Sequence, residues 1–309
     1  MISMYKTHND KLELMQSFET GTWINVENPT LEELDYLSKT FGIAVEDLRA
    51  ALDEEERAHI TTEDNYTIII VDLPIKDEEG IHEYVTIPME IVISDHFIMT
   101  ICLKKVDLVQ DFITGKVRSF YTFKKTRFIL QLLYKNASYY LQYLRYIDRA
   151  SNKIEQELNK SMRNKELVQL LELEKSLVYF TTSLRANEIV FEKMMRMEKI
   201  KQYPEDKDLL EDLIIENKQA MEMANIYSSI LSETRDAFAS VISNNLNTVM
   251  KTLTSLTIVL SIPTMIFSLF GMNVPLPFMR DPYGYIYILL GSLVLIIIGA
   301  IVMFRKKMF

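Results

Sequence analysis

The sequence is short of the residues that hold soft metals or cross-link a chain. Cys102 is its one cysteine, which excludes an intramolecular disulfide framework and a cysteine zinc site. His8, His59, His82 and His96 are scattered without ligand spacing, although His82 and His96 could meet in a fold. A glycine-rich phosphate loop, a nucleophile elbow and a His-Glu metal pair are all missing, so the chain does not read as an enzyme. Met1 to Gly21 lacks an apolar run. No signal peptide is therefore expected, and the N-terminus should stay in the cytoplasm.

Positive charge is scarce in the first 250 residues. The chain carries a net −9, yet from Lys251 onward the balance is +4, which leaves −13 for the part before it. An acidic soluble part argues against nucleic acid as a partner and suits attraction of cations.

What is present is a charge-free run of nineteen residues, Thr252 to Phe270. At about 1.5 Å per residue it is long enough for a helix to cross a bilayer. Its polar residues fall in register with those before it. Asp236, Ser240, Ser243, Asn247, Thr254, Thr257, Ser261, Thr264 and Ser268 recur every three or four residues, so one stripe of a continuous helix is polar. Two readings are open. Serine and threonine also serve dry helix contacts, bonding to the carbonyl four residues back. Asn247 at one end and Asn273 beyond the other, about 39 Å apart on a straight helix, favour a pore lining. Met250 and Leu253, one turn inside the entrance, could form an apolar constriction that closes by dewetting. Pro263 removes a helix donor, and Gly271, Pro275 and Pro277 make continuation past Phe270 improbable.

Upstream, Thr22 to Val26 predicts a strand, and Thr30 with Glu33 predicts a capping box opening a helix that Gly42 ends. Ile43 to Ala51 predicts a second short helix. Strands are expected at Tyr66 to Leu73, Glu83 to Ser94 and His96 to Leu103, with the apolar run Tyr66 to Val71 as a central strand. Asp77-Glu78-Glu79-Gly80 reads as a turn, and as a solvated loop more readily than a metal site. From Thr126 the pattern is helical, with Leu130, Leu133, Ala137, Tyr140, Leu144 and Ile147 in register, then Leu167, Leu170, Leu171, Leu177 and Phe180. Met194, Met195, Met197, Met221 and Met223 are expected to fill core gaps. Pro204 suits the first turn of a long helix that would run about 99 Å to Phe270. A second apolar span, Tyr285 to Phe304, has Gly291 and Gly299 for one close helix contact, and Arg305-Lys306-Lys307 after it places the C-terminus in the cytoplasm.

Gly271-Met272-Asn273 at the end of the first of two C-terminal spans resembles the CorA-type divalent cation transporters. Trp23-Ile24 with Val26, Pro29-Thr30 with Glu32-Glu33-Leu34, and Phe41-Gly42-Ile43 are similar to the start of their cytoplasmic domains. The resemblance implies a homopentamer in the inner or plasma membrane, carrying Mg²⁺ passively, with Co²⁺ and Ni²⁺ as further ions. It implies that Asn273, with Gly271 and Met272, selects the hydrated ion at the outer mouth. Asn247 and Thr264 would add oxygens along the pore, and Asp236 an anionic ring below it. It further implies cytoplasmic Mg²⁺ bound between subunits as a regulator, for which Asp212 matches by spacing and Asp77 more loosely. The segment after the motif departs from the family: only Asp281 is acidic, beside Arg280, which puts ion preference in doubt. A Zn²⁺ or other transition-metal transporter of the same architecture is one alternative, and a non-conducting membrane-anchored helical scaffold is another.

The expected fold class is an α+β membrane protein with an N-terminal cytoplasmic α/β domain (1–125), a helical hairpin region (126–203) and a helical stalk (204–250). The first transmembrane helix (251–270), an extracytoplasmic loop (271–284), the second transmembrane helix (285–304) and a basic tail (305–309) follow.

Overall fold

The computed structural model describes residues 1–77, 83–117, 119–161, 164–197, 203–274, 276–277 and 282–305. Residues 78–80 of the expected acidic turn, His82, Pro275, Arg280, Asp281, Lys306 and Lys307 lie outside them. Seven strands, β1 (Ile2–His8), β2 (Lys11–Met15), β3 (Thr22–Glu27), β4 (His59–Thr62), β5 (Tyr66–Lys76), β6 (Tyr84–Ser94) and β7 (Phe97–Cys102), form one sheet in the order β2-β1-β3-β7-β6-β5-β4. All neighbours are antiparallel except β3 and β7.

Both faces of the middle of the sheet are covered, which is why β3 and β7 read as near-continuous apolar runs. On one face Ile24, Val26, Ile70, Val92, Met99 and Ile101 pack under α1 (Leu31–Phe41), α2 (Val45–Arg49) and a 3-10 turn, Ala50–Leu52. Helix α1 starts with the expected capping box: Thr30 Oγ1 accepts from Glu33 N at 3.2 Å, and Glu33 Oε2 accepts from Thr30 N at 2.9 Å. It stops where Gly42 takes φ 68°, which a side chain would resist. On the other face Trp23 meets Phe128, with ring centroids 5.1 Å apart, and donates to Thr100 Oγ1 at 2.9 Å.

Among the described residues five more helices follow: α3 (Asp107–Ile113), α4 (Lys125–Ser161), α5 (Asn164–Met194), α6 (Pro204–Phe270) and α7 (Gly284–Arg305). The heptad-like register expected in α4 is borne out: Leu130, Leu133, Ala137, Tyr140, Leu144 and Ile147 are all buried. In α5, Leu170, Leu177 and Phe180 are buried while Leu171 is exposed. Of the five methionines expected in the core only Met194 is fully buried; Met195 and Met197, past the end of α5, and Met221 and Met223, on α6, are half-buried.

Strand β5 is an inner strand, as its apolar run predicts, but it lies next to the edge rather than in the middle of the sheet. Its outer neighbour β4 is four residues long and ends opposite Ile70. Beyond that point β5 would present bare main chain, and helix side chains close it. Asp72 N–H donates to Asn187 Oδ1 at 2.9 Å. Asp72 C=O accepts from Asn187 Nδ2 at 2.9 Å, Asn136 Nδ2 at 2.9 Å and the Tyr140 hydroxyl at 3.1 Å. Two side-chain amides thus substitute for a missing strand, satisfying groups that burial would otherwise leave costly.

The chain divides into two compact units, Met1–Arg235 and Asp236–Phe309. In the first, α6 buries Leu210, Leu213, Asn217, Ala220, Ala224 and Leu231, a three-and-four spacing. Asn217 Nδ2 donates to Leu184 O at 3.0 Å, Lys218 pairs with Glu188 at 3.4 Å, and Arg235 is ion-paired with Glu174. In the second unit α6 and α7 are long and apolar enough to cross a membrane.

Candidate ion pathway

Within the second unit, α6 has two rows of opposite character. Ser255, Val259, Ile262, Pro263, Ile266 and Phe270 are buried or half-buried. The facing row on α7 is Gly284, Ile288, Ser292, Ile296 and Gly299. A Cβ added at Gly299 would stand 3.0 Å from Ile262 Cδ1, so the small residue sets how closely the helices approach. At Gly291 the same test meets nothing within 4 Å; that glycine instead lines an open apolar groove with Ile266, Phe270 and Leu295. The close contact expected of both glycines belongs to Gly299.

The polar stripe lies on the other side. At about 100° per residue, Thr254, Thr257, Ser261, Thr264 and Ser268 point nearly opposite to the row that meets α7. All five are exposed, as are Asp236, Ser240, Ser243, Asn247, Met250 and Leu253. The stripe is therefore not the dry seam between the two helices of one chain.

Three hydroxyls of the stripe have their protons committed. Thr257 donates to Leu253 O at 2.8 Å, Ser261 to Thr257 O at 2.7 Å and Thr264 to Leu260 O at 2.9 Å. Each hydroxyl proton points back along the helix, so what faces outward is oxygen lone pairs. Such a surface can accept hydrogen bonds from the water around a cation or coordinate the cation itself. Pro263, inside the helix, cannot donate to Val259 O, and it lies on the α7 side rather than on the stripe.

At the end of α6 the Gly271 N–H donates to Phe267 O at 3.0 Å and Ser268 O at 3.2 Å, and the Met272 N–H donates to Leu269 O at 3.3 Å. Asn273 follows, exposed, as are Gly271 and Met272. A Cβ on Gly271 would make ordinary contact with Phe267 O at 3.4 Å, and its φ is not left-handed. Nothing inside one chain requires glycine there.

The two expected regulatory acids have different surroundings. Asp212 is exposed on α6, and with Glu216 it lies close enough to Tyr134 of α4 to push that phenol upward: Glu216 acts most strongly, then burial, then Asp212. Asp77 accepts from Lys104 Nζ at 3.0 Å, and the pair lines a cavity of about 170 Å³ with Lys76, Lys105, Asp107 and Tyr143. The sequence reading did not anticipate Lys104. Among the described residues no three His, Cys, Asp or Glu side chains gather to hold a metal within one chain.

Known proteins share this fold. The family model described as CorA-like Mg²⁺ transporter protein matches residues 18–306. The cobalt/magnesium transport protein CorA of Methanocaldococcus jannaschii is 28% identical over 295 residues, covering 92% of this chain and 90% of that one. The complete structure of the CorA magnesium transporter from the same organism superposes with a TM-score of 0.83 at 26% identity, over 99% of this chain and 98% of that one. Full-length CmaX (TM-score 0.71, 12% identity, 97% of each chain) and the ZntB cytoplasmic domain from Vibrio parahaemolyticus (0.63, 8%, 78% of this chain and 98% of that one) share the fold. The chain belongs to the CorA-like Mg²⁺ transporter family, and it is a divalent cation transporter of the membrane.

Proposed function

We propose that copies of this chain assemble as a homopentamer in the cell membrane, with both termini cytoplasmic, and that Mg²⁺ enters passively along an axis lined by α6. The observation that carries this reading is the exposed polar row on α6, lone pairs outward, opposite the row that packs on α7. One such helix cannot enclose water, so several must meet around an axis. Mg²⁺ dehydrates reluctantly. A ring of Asn273 amides with Gly271 and Met272 main chain can hold the ion through its waters at the outer mouth. Thr264 and Asn247 supply further oxygens, Met250 and Leu253 the constriction, and Asp236 an anionic ring on the cytoplasmic side. The name of the Methanocaldococcus relative adds Co²⁺ as a second ion.

Regulation by cytoplasmic Mg²⁺ is assigned to Asp212 and Asp77. The regulatory ion is placed between neighbouring copies; among the described residues no three His, Cys, Asp or Glu side chains gather within one chain. Bound, it offsets carboxylate repulsion and favours the closed assembly. The test is ion uptake by liposomes holding the purified full chain, with Mg²⁺ and Co²⁺ supplied separately. Uptake is expected with the natural sequence and its loss with Asn273→Ala; undiminished uptake by that variant would sink the proposal.

A further inference from the structure

Glu90 lies on β6 in the middle of the sheet, and its side chain is 0% exposed. Among the described residues no hydrogen bond of ordinary geometry reaches either carboxyl oxygen. The Ala51 backbone N–H, on the 3-10 turn, is near enough to favour the charged form, but burial outweighs it. Among the described residues no cation acts on it: Arg49 of α2 is exposed, and the charged neighbour that does act is an acid. Asp47 of α2 opposes an ionised Glu90. The 3-10 turn contributes no charged group. Strand β5 sets Ile70 opposite, with Asp72 two residues on, and β7 sets Ile101 opposite, followed by the buried thiol of Cys102. An ionised carboxylate cannot stay in such a place without water.

The cover over Glu90 includes α2 and the 3-10 turn, from which Asp47 and the Ala51 N–H act on it. Helix α2 has five residues, too few to persist alone, and the segment is held down by the buried Leu48 and Ala51 and by Tyr66. That hydroxyl donates to Asp47 Oδ2 at 2.7 Å and accepts from Ala44 N at 3.3 Å. Behind it follow Asp53, Glu54, Glu55 and Glu56. Lifting this segment would let water in with no strand of the sheet displaced.

We infer that Glu90 makes this segment a proton-linked latch on the soluble unit: the acid is neutral while residues 45–52 lie on the sheet, and loss of its proton favours their lifting. Burial raises the carboxyl from 4.5 to about 8 in the closed form. The latch is therefore firmest below the open-state value and weakens by about tenfold per pH unit as pH rises toward 8, beyond which both forms are ionised and the dependence ends. Asp72, raised by burial to about 6, has completed most of its own titration by pH 6.5. The interval from pH 6.5 to 7.5 thus reports Glu90.

Amide hydrogen exchange on the full chain in lipid nanodiscs, corrected for the intrinsic pH dependence of exchange, tests this. Protection of the amides of residues 45–52 is expected to fall about tenfold from pH 6.5 to 7.5 in the natural sequence. It should be flat in Glu90→Gln and in Glu90→Met, and where one of these fails to fold the other supplies the comparison. Protection that ignores pH in the natural sequence, an equal fall in a folded variant, or an equal fall across β5, β6 and β7 would each overturn the inference.

Discussion

Thr264 shows what a single side chain contributes. Its hydroxyl proton is taken by Leu260 O, so the helix gains little from it and the outward face is left with an acceptor. Thr264→Val keeps the shape of the side chain and removes the oxygen. The expected outcome is Mg²⁺ uptake reduced several-fold in liposomes, with an assembly of unchanged size by light scattering; unaltered uptake would remove Thr264 from the ion's path. The three-and-four spacing of this residue and its neighbours was legible in the sequence. The sequence could not say whether this row packs on the second span or faces away from it, because both uses take serine and threonine at that spacing, and the row that α7 covers shows that it faces away. Glu90 and Lys104 were not legible at all. A carboxylate inside the run Pro88-Met89-Glu90-Ile91-Val92 says nothing of what closes over it, and the partner of Asp77 comes from a strand end twenty-seven residues away.

At the scale of elements, local chemistry was the readable part. The capping box of α1, its glycine stop and the register of α4 follow from short-range rules and are all present. The terminal hairpin β1–β2 was missed because its half-exposed strands carry lysine, glutamate and tyrosine rather than a clean apolar run. The four-residue β4 was missed too, and with it the place of β5 in the sheet. Apolar content reports that both faces of a strand are covered; it does not report how many strands lie beyond. Between α6 and α7 the two glycines make a paired test. Gly299→Leu drives a side chain into Ile262 and should cost about 1–3 kcal/mol of stability. Gly291→Ala faces open space and should cost almost nothing. Thermal unfolding of the two variants in detergent separates them, and equal losses would contradict this packing.

At the scale of the whole molecule, one helix, α6, has residues in both compact units, so the proposed regulation would act through it. Two variants probe that regulation in opposite directions. Asp212→Ala should weaken inhibition of uptake by internal Mg²⁺, and unchanged inhibition would exclude Asp212 from the regulatory site. Lys104→Met removes an ammonium that competes for Asp77, so half-inhibition should arrive at a lower internal Mg²⁺ concentration; a rise would mean that Lys104 helps hold the ion. The two-span architecture and the acidic soluble part were evident from composition and hydropathy. The pairing of Asp77 with Lys104 needed the fold, since a competing cation is a matter of where strands end.

The hydroxyls of α6 carry one more consequence. Where Thr257, Ser261 and Thr264 wall the proposed conduit, their protons are already given to the helix, so this stretch offers oxygen to a cation and no hydroxyl donor to chloride or phosphate. That stretch of the proposed path would favour cations over anions, whatever the mouth does to sort ions by size.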